Sequence, residues 1–461
     1  MTGVVEVLAR AAATTLGQYQ PIRSTSLFGF DEPPVFGFVP IKLVSEEVIQ
    51  AIAFGDIDGR PTVVTRWNAM SRDARAFEFF ASGLDQHITA AISSNRLPRI
   101  WLPHEGALRQ LDLLGHRYRT NKTATDSLRR MGAQCRSLME EYQHKGQQVV
   151  AVASELLRAH VVTGQSPSED AHLGAFLAWF ENAGRDPAQE ATKRSLIPAA
   201  AMLTRREDDE VEALRRVAKK GGATGSRAQT QIERILTIAA LREWDLLSRA
   251  RSAFWALGMS PLPGIADLRF ASRERIYYSL PKLPSPPSRT AALARLLDAL
   301  EASAERTENA DVEGDRQTLE LLRRKGRVVN AVVKSIDQPR RGCYPCCLRL
   351  FTQQLVLRIR TGTKLRLVGS KVSARVTTVQ TTFGGHCIVA DVIAGVRSRP
   401  GVGAAGNWTD SAPFEANYLR QRVYETAKVA APAAFAGTSL PARRGRAISE
   451  DLIVTVNRLR R

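Results

Sequence analysis

The sequence predicts a multidomain α+β protein with a small N-terminal α/β domain, a central helical bundle and a C-terminal β-barrel-like domain. A chain of 461 residues is long for a single hydrophobic core. Apolar residues recur with both strand and helix spacing in the N-terminal region, with helical spacing in the middle, and at every second residue in the C-terminal region. A proline-rich segment lies at 281–287. We therefore expect an α/β domain over 1–119, a helical bundle over 120–280, a helical segment over 289–340 and a basic β-rich domain of the OB or SH3 barrel type over 341–461.

The N-terminal domain begins with a predicted strand at 35–44, which is followed by a predicted β-hairpin. Apolar runs at 49–54 and 61–67 flank a segment that contains an Asp-Gly turn, which favours two antiparallel strands. A helix with apolar residues on one face follows and runs to about Ser93. A short strand at 99–102 and a helix at 104–117 complete a small α/β layer domain.

Over residues 48–118, this order of elements resembles the core of RNase H-like exonucleases. The resemblance implies two-metal phosphoryl chemistry, for which these nucleases carry an acidic pair inside the first strand. The strand at 50–54 contains no acid, so the resemblance implies a degenerate, inactive RNase H-like domain. Asp56 and Asp58 follow this strand and offer a metal-dependent nuclease as an alternative, although Asp-Gly is itself a turn signal.

The rest of the chain is helical up to about residue 334 and β-rich from Leu348 to about Val396. Apolar residues recur at three- and four-residue steps through most of the first region and at every second residue in the second. The predicted helices span 122–143, 227–257, 289–306 and 314–334. One further helix is expected to begin at Ser166.

The positive charge of the chain is concentrated in one segment. The net charge is +19, yet residues 1–320 contain 40 Lys and Arg against 39 Asp and Glu. Residues 321–375 contain 14 basic residues against the single acid Asp337. A local field of one sign attracts a polyanion. This distribution predicts a nucleic-acid-binding surface in the C-terminal third.

A basic hairpin is predicted at the centre of this segment, over 355–367. Leucine and isoleucine alternate with Arg and Lys on both sides of a Thr-Gly-Thr turn at 361–363, so one face is apolar and the other basic. Small barrels use such faces on nucleic-acid backbones, whereas the alternative is an edge strand protected by charge. The candidate nucleic-acid-binding residues are Arg323, Arg324, Lys325, Arg327, Arg358, Arg360, Lys364, Arg366, Lys371 and Arg375.

A cysteine cluster offers a candidate structural zinc site. Structural zinc takes four nitrogen or sulfur ligands, and the candidates are Cys343, Cys346, Cys347 and Cys387. His386 adjoins Cys387, and neighbouring residues on a strand point to opposite faces, so only one of these two can reach a metal. The alternative is that these cysteines are small buried apolar residues.

The sequence contains no Walker A, dinucleotide-binding, G-x-S-x-G or H-E-x-x-H motif, and we assign no catalytic residue. The few cysteines and the lack of a secretory signal or a membrane-spanning apolar run predict a cytoplasmic protein that does not bind a membrane. We predict a non-catalytic DNA- or RNA-binding component of a larger complex that works with a partner ATPase, helicase or nuclease. The alternatives are a metal-dependent nuclease and a scaffold for an acidic protein.

Overall fold

The computed structural model describes most of the chain up to Asp410 and divides it into two compact units, Met1–Pro284 and Ser285–Arg461. The division falls within the proline-rich segment. We call the two parts the N-terminal unit and the C-terminal unit. The described residues are 4–43, 48–68, 76–181, 186–198, 202–279, 290–337, 346–370, 372–382, 384–395 and 399–410.

The N-terminal unit contains ten helices and nine strands among its described residues. The helices are α1 Val4–Leu16, α2 Ala76–Ser93, α3 Glu105–Tyr118, α4 Asp126–Tyr142, α5 Ala153–His160, α6 Leu173–Ala178, α7 Pro187–Arg194, α8 Arg205–Ala218, α9 Gly222–Ala256 and α10 Ile265–Ser279. The strands are β1 Gln20–Pro21, β2 Thr25–Ser26, β3 Phe36–Lys42, β4 Ile49–Asp56, β5 Thr62–Thr65, β6 Ile100–Leu102, β7 Val150–Val152, β8 Val161–Val162 and β9 Ser260–Pro261.

A five-stranded sheet in the order β5-β4-β3-β6-β7 forms the centre of the N-terminal unit. The pairs β3–β4 and β4–β5 are antiparallel, whereas β3–β6 and β6–β7 are parallel. One hydrophobic core contains Trp244 and Leu247 of α9, and a second contains Phe80 and Leu84 of α2. Helix α9 packs closely on β3, because a Cβ at Gly37 would lie 2.6 Å from the Trp244 ring.

The predicted order of hairpin, helix, strand and helix is confirmed in the N-terminal unit. Strands β4 and β5 pair in register from Ala51–Thr65 to Phe54–Thr62, and α2 ends at Ser93. The strand predicted at 35–44 is present as β3, and it rather than the strand at 50–54 comes first in the sheet. The sheet also continues past residue 119, since β7 is its fifth strand. The segments 1–119 and 120–280 therefore belong to one compact unit.

The helix expected to begin at Ser166 begins at Leu173 instead. Residues Glu169–Ala171 form a single 3₁₀ turn, and His172 caps α6 by accepting the Ala175 N–H on Nδ1 at 3.1 Å. Glu169 still accepts hydrogen bonds from the backbone and hydroxyl of Ser166, at 2.8 and 2.7 Å. Ser166 and Glu169, which were expected to cap the helix, therefore hold the 3₁₀ turn that precedes it.

Among its described residues, the C-terminal unit contains a closed six-stranded β-barrel with two helices before it, which confirms the β-barrel-like domain. The barrel order is β10-β11-β14-β13-β12-β15, and every neighbouring pair is antiparallel. Its core includes Leu348, Leu365, Ile388 and Trp408. The elements are α11 Thr290–Gly314, α12 Arg316–Arg324, β10 Val328–Asp337, β11 Cys347–Thr352, β12 Lys364–Leu367, β13 Ser373–Thr382, β14 Gly385–Ala394 and β15 Ala405–Asp410.

The predicted helix over 314–334 is wrong in its second half. Helix α12 ends at Arg324, and Gly326 follows it with a φ of +74°, a conformation that glycine adopts without strain. Residues 328–333 contain four valines, whose branched side chains favour a strand. The barrel therefore begins at Val328, inside the segment expected to be helical. Among the described residues, no helix is both long and apolar enough to cross a membrane.

Candidate nucleic-acid interface

Three consecutive exposed cations occupy the end of α12. The Gly326 N–H donates to the Arg323 carbonyl and the Arg327 N–H donates to the Leu322 carbonyl, each at 3.0 Å. This pair of bonds is a Schellman motif, which ends the helix and satisfies its last carbonyls. Arg323, Arg324 and Lys325 therefore project into solvent at the negative end of the helix dipole, where cations are stabilised.

The segment between β11 and β12 brings a fourth cation to the same place. The Gln354 side-chain amide donates to the carbonyls of Arg323, Val328 and Val356, at 2.7, 3.1 and 2.9 Å. The Arg358 N–H donates to the Gly326 carbonyl at 3.0 Å. Arg358 is exposed and lies beside the end of α12, although it is far away in sequence. We call Arg323, Arg324, Lys325 and Arg358 the basic cluster.

The basic hairpin predicted over 355–367 is not formed. Residues 353–360 are irregular, and β12 pairs with β13 on one side and β15 on the other. Closure of the barrel uses both edges of β12, so no edge remains for a hairpin partner. The turn is held to β13 instead, because the Gly362 N–H donates to the Val376 carbonyl at 2.7 Å.

The alternation that suggested the hairpin does separate the two faces of the segment. Ile359 and Leu365 are buried in the barrel core, whereas Arg358 and Arg360 are exposed. The alternation therefore indicates which residues face the core, but it does not identify their hydrogen-bonding partners.

Three further candidate cations lie on β12 and β13. Lys364 is directly opposite Arg375 in the β12–β13 register, so their side chains share the outer face of the barrel. Arg366 follows Lys364 on that face of β12, two residues along the strand. The candidate Lys371 lies outside the described residues.

Carboxylates of α11 and β15 already engage Arg327 and Arg366, two of the predicted contact residues. Arg327 lies 2.8 Å from Glu308 of α11 and 3.3 Å from Asp410 of β15. Burial lowers the pKa of Arg327, but the two carboxylates outweigh it and raise the pKa above its ordinary value. Arg366 is paired with Glu313, which is also on α11. The expected cationic strip is therefore partly neutralised within the C-terminal unit.

Two outward-facing residues of the barrel were missed by the sequence prediction. The Lys334 ammonium lies 5.4 Å from the centroid of the Phe351 ring, a cation–π geometry. Lys334 is exposed on β10 and Phe351 is half-buried on the neighbouring β11. An aromatic ring beside a cation is the type of surface on which a base can stack. The signal in the sequence was the position of Phe351, two residues after Arg349 on β11, which places its side chain on the same outer face as that arginine.

The barrel strands separate the candidate zinc ligands. Cys346 is buried in the barrel core, while Cys347 is the half-buried first residue of β11. Cys347 is opposite Asp391 and Cys387 is opposite Phe351, four positions along the strands, which corresponds to about 13 Å. One zinc ion with sulfur ligands at about 2.3 Å cannot contact both.

The chemistry of Cys347 also disfavours metal binding. Burial raises the pKa of its thiol to about 11, and the carboxylate of Asp391 adds to the effect, whereas zinc binds the thiolate. Among the described residues, no three His, Cys, Asp or Glu side chains form a metal-binding group. Cys343 lies outside the described residues.

The two acids of the nuclease alternative form a turn. The Asp58 N–H donates to the Asp56 carboxylate at 3.3 Å, and the Gly59 N–H donates to the Asp56 carbonyl at 2.9 Å. Asp58 forms an ion pair with Arg251 of α9. The first strand of the sheet, β3, contains no acid. These contacts support the turn interpretation of Asp56 and Asp58.

A buried acid–base pair lies beyond the carboxyl end of β6. His104 Nδ1 accepts the Ala107 N–H at 3.3 Å, and its Nε2 lies 3.9 Å from the Glu243 carboxylate of α9. Among the described residues, neither His104 Nε2 nor Glu243 Oε1 has a hydrogen-bond partner. Burial lowers the pKa of His104 to about 4 and raises that of Glu243 to about 7. Because both side chains are buried, the pair bears on stability rather than on substrate contact.

Comparison of the chain with known protein families, with curated proteins and with solved structures finds no match. The function proposed below therefore depends on the geometry and charge of this chain alone.

Proposed function

We propose that this protein is a non-catalytic nucleic-acid-binding component of a larger DNA- or RNA-processing complex. The C-terminal barrel and the end of α12 supply the contact surface. The observation that carries the proposal is that the four cations of the basic cluster lie close together. Hydrogen bonds from the Gln354 side chain and the Arg358 N–H hold the irregular segment after β11 against the end of α12.

The charges of this surface suit a phosphate backbone. Glu320 is the carboxylate paired with Arg323 and Arg324, at 3.4 and 3.7 Å, and the exposure of all three side chains makes these pairs weak. Arg360 is also exposed and lies two residues beyond Arg358. Several cations with little competing acid bind phosphates without reading the base sequence.

We propose that the N-terminal unit has an RNase H-like core that lacks catalytic activity. The order of three antiparallel strands, a helix, a parallel strand and further helices supports the likeness. The first strand has no acid, and Asp56 and Asp58 are engaged in a turn and an ion pair. A role without catalysis is consistent with a partner ATPase, helicase or nuclease that supplies the reaction.

Binding of the full chain to single-stranded and duplex DNA and RNA, measured against salt concentration, tests the main proposal. Four to six phosphate contacts give a slope of about −3 to −5 in log K against log salt, at about −0.7 to −0.9 per contact. The double variant R358E/R360E should weaken binding about tenfold or more and flatten the slope. It should affect all sequences alike, because phosphate contacts carry no sequence information.

The double variant R205E/R206E is the matched control. It changes the net charge equally, and its two exposed arginines lie in the first turn of α8, where acids are tolerated. It should bind as the wild type does. If the wild type binds no nucleic acid even at low salt, the proposal fails and a scaffold for an acidic protein takes its place. Cleavage of nucleic acid in Mg²⁺ would refute the non-catalytic assignment.

A further inference from the structure

An exposed leucine stands next to the basic cluster. Leu355 is 94% exposed and its neighbour Val356 is 50% exposed, although both belong to the segment that crosses the end of the barrel. Leu357 and Ile359 of the same segment pack on the barrel core, whereas Leu355 does not. Within the described part of the C-terminal unit, the apolar side chain of Leu355 therefore takes no part in the core.

The backbone on both sides of Leu355 is held in place. On one side, the Gln354 amide donates to three carbonyls, including that of Arg323 at 2.7 Å. On the other side, the Arg358 N–H donates to the Gly326 carbonyl. The loop packs closely on Gly326, since a Cβ there would lie 3.0 Å from the Val356 carbonyl oxygen. Hydrogen bonds on both sides thus hold the backbone that carries Leu355.

Charge complementarity indicates what covers Leu355. The cations Arg323, Arg324, Lys325 and Arg358 lie on the two backbone segments that hold this loop, and Glu320 is the acid paired among them. An apolar side chain framed by cations matches a polymer that presents phosphates beside flat apolar rings. Nucleic acids have this arrangement, because each phosphate is followed by a base with an apolar face.

We propose that Leu355 is a wedge that contacts an unstacked base while the basic cluster holds the adjacent phosphates. Apolar side chains that enter a base step separate its two bases. The preferred ligand is therefore single-stranded or locally distorted nucleic acid, in which unstacking costs least. This inference rests on the proposed nucleic-acid binding and specifies the ligand of that surface.

The variant L355A tests the wedge in the full-length protein. Its affinity for a single-stranded DNA oligonucleotide should fall about tenfold, since much of the buried apolar area is lost. The salt slope should not change, because no charge is altered. L355F should keep or strengthen binding, because an aromatic ring can stack on a base. An exposed substitution of this kind leaves the fold intact.

V402A is the matched control. Val402 is 64% exposed in the same unit, on the loop before β15, at the other end of the β10–β15 pairing from Arg327. This variant should bind as the wild type does. A fluorescent purine analogue in the oligonucleotide should brighten when the wild type binds and unstacks it, and this signal should be lost with L355A.

The outcomes separate the wedge from the function on which it rests. If the wild type binds with a salt-dependent affinity and L355A binds equally well, the wedge is overturned and nucleic-acid binding stands. An equal loss in L355A and V402A also overturns it. If L355A binds nucleic acid normally but no longer retains a protein of the complex, Leu355 contacts a protein partner. If the wild type does not bind nucleic acid, both proposals fail.

Discussion

The carboxylate of Glu308 lies 2.8 Å from the guanidinium of Arg327 and joins α11 to the start of the barrel. Five residues further along α11, Glu313 is paired with Arg366 on β12. Two carboxylates of α11 thus form ion pairs with two arginines of the C-terminal unit. Two cations predicted to contact phosphate are held by carboxylates in the unbound protein.

The double variant E308Q/E313Q should bind nucleic acid more tightly than the wild type. Removing both carboxylates takes Glu308 from Arg327, which keeps Asp410, and takes Glu313 from Arg366, so competition for phosphate is reduced at both arginines. Each partly exposed pair contributes at most about 1 kcal/mol. We expect affinity to rise about threefold to tenfold and the salt slope to steepen by about one to two phosphate contacts. Equilibrium binding at several salt concentrations measures both quantities.

The double variant D209N/E233Q is the control for net charge. It removes two exposed acids from α8 and α9 in the N-terminal unit and so changes the net charge by the same amount. If both double variants bind equally tightly, the effect is one of overall charge rather than of the α11 ion pairs.

Substitution of Gln354 should loosen the basic cluster. In Q354A, the carbonyls of Arg323, Val328 and Val356 lose a common donor, which should destabilise the C-terminal unit by about 1–3 kcal/mol. Amide hydrogen exchange at Arg358 should accelerate, because its bond to Gly326 depends on the same loop. The exposed neighbour Gln353 provides the control Q353A. Equal exchange rates in the two variants would contradict the role given to Gln354.

Glu243 should make the N-terminal unit less stable as the pH rises. Burial raises the pKa of this carboxyl to about 7 from an ordinary 4.5, so the folded state holds its proton more tightly than the unfolded state does. Stability therefore falls as the pH rises from about 4.5 to about 7, by about 3 kcal/mol in all. In E243Q this dependence is absent.

The difference in unfolding free energy between E243Q and the wild type should therefore grow from about pH 4.5 to about pH 7 and then level off. His104 acts in the opposite direction, since its lowered pKa makes stability rise with pH between about 4 and 6.5. Taking the difference between the two proteins isolates the contribution of Glu243. Denaturant titrations across this range measure it, and a difference that does not vary with pH would refute the assignment.

The cysteines should act as apolar residues rather than as zinc ligands. C346S places a hydroxyl in the barrel core and should destabilise the C-terminal unit by about 1–3 kcal/mol, whereas C347S should have little effect. A chelator should leave the Tm of the wild type unchanged. About one equivalent of zinc in the purified protein, lost in C347S, would show that a metal site exists after all.

Local patterns in the sequence predicted several elements correctly. The pairing of β4 with β5 follows from two apolar runs around an Asp-Gly turn, and α2 and α3 follow from a helical apolar period. The alternation of apolar and basic residues likewise identified Ile359 and Leu365 as core residues. Each of these signals depends on neighbours within a few residues, so it can be read from the chain alone.

The sequence by itself thus determined the mixed helix and sheet architecture, the C-terminal barrel and the concentration of charge. Only the tertiary structure decided which residues meet. Barrel closure gave β12 the partners β13 and β15, Gln354 brought Arg358 to the end of α12, and α11 placed Glu308 on Arg327. The same strand register set Cys347 and Cys387 four positions apart. These contacts join segments that are distant in the chain, and their geometry depends on hydrogen bonds and packing that exist only once the barrel has closed.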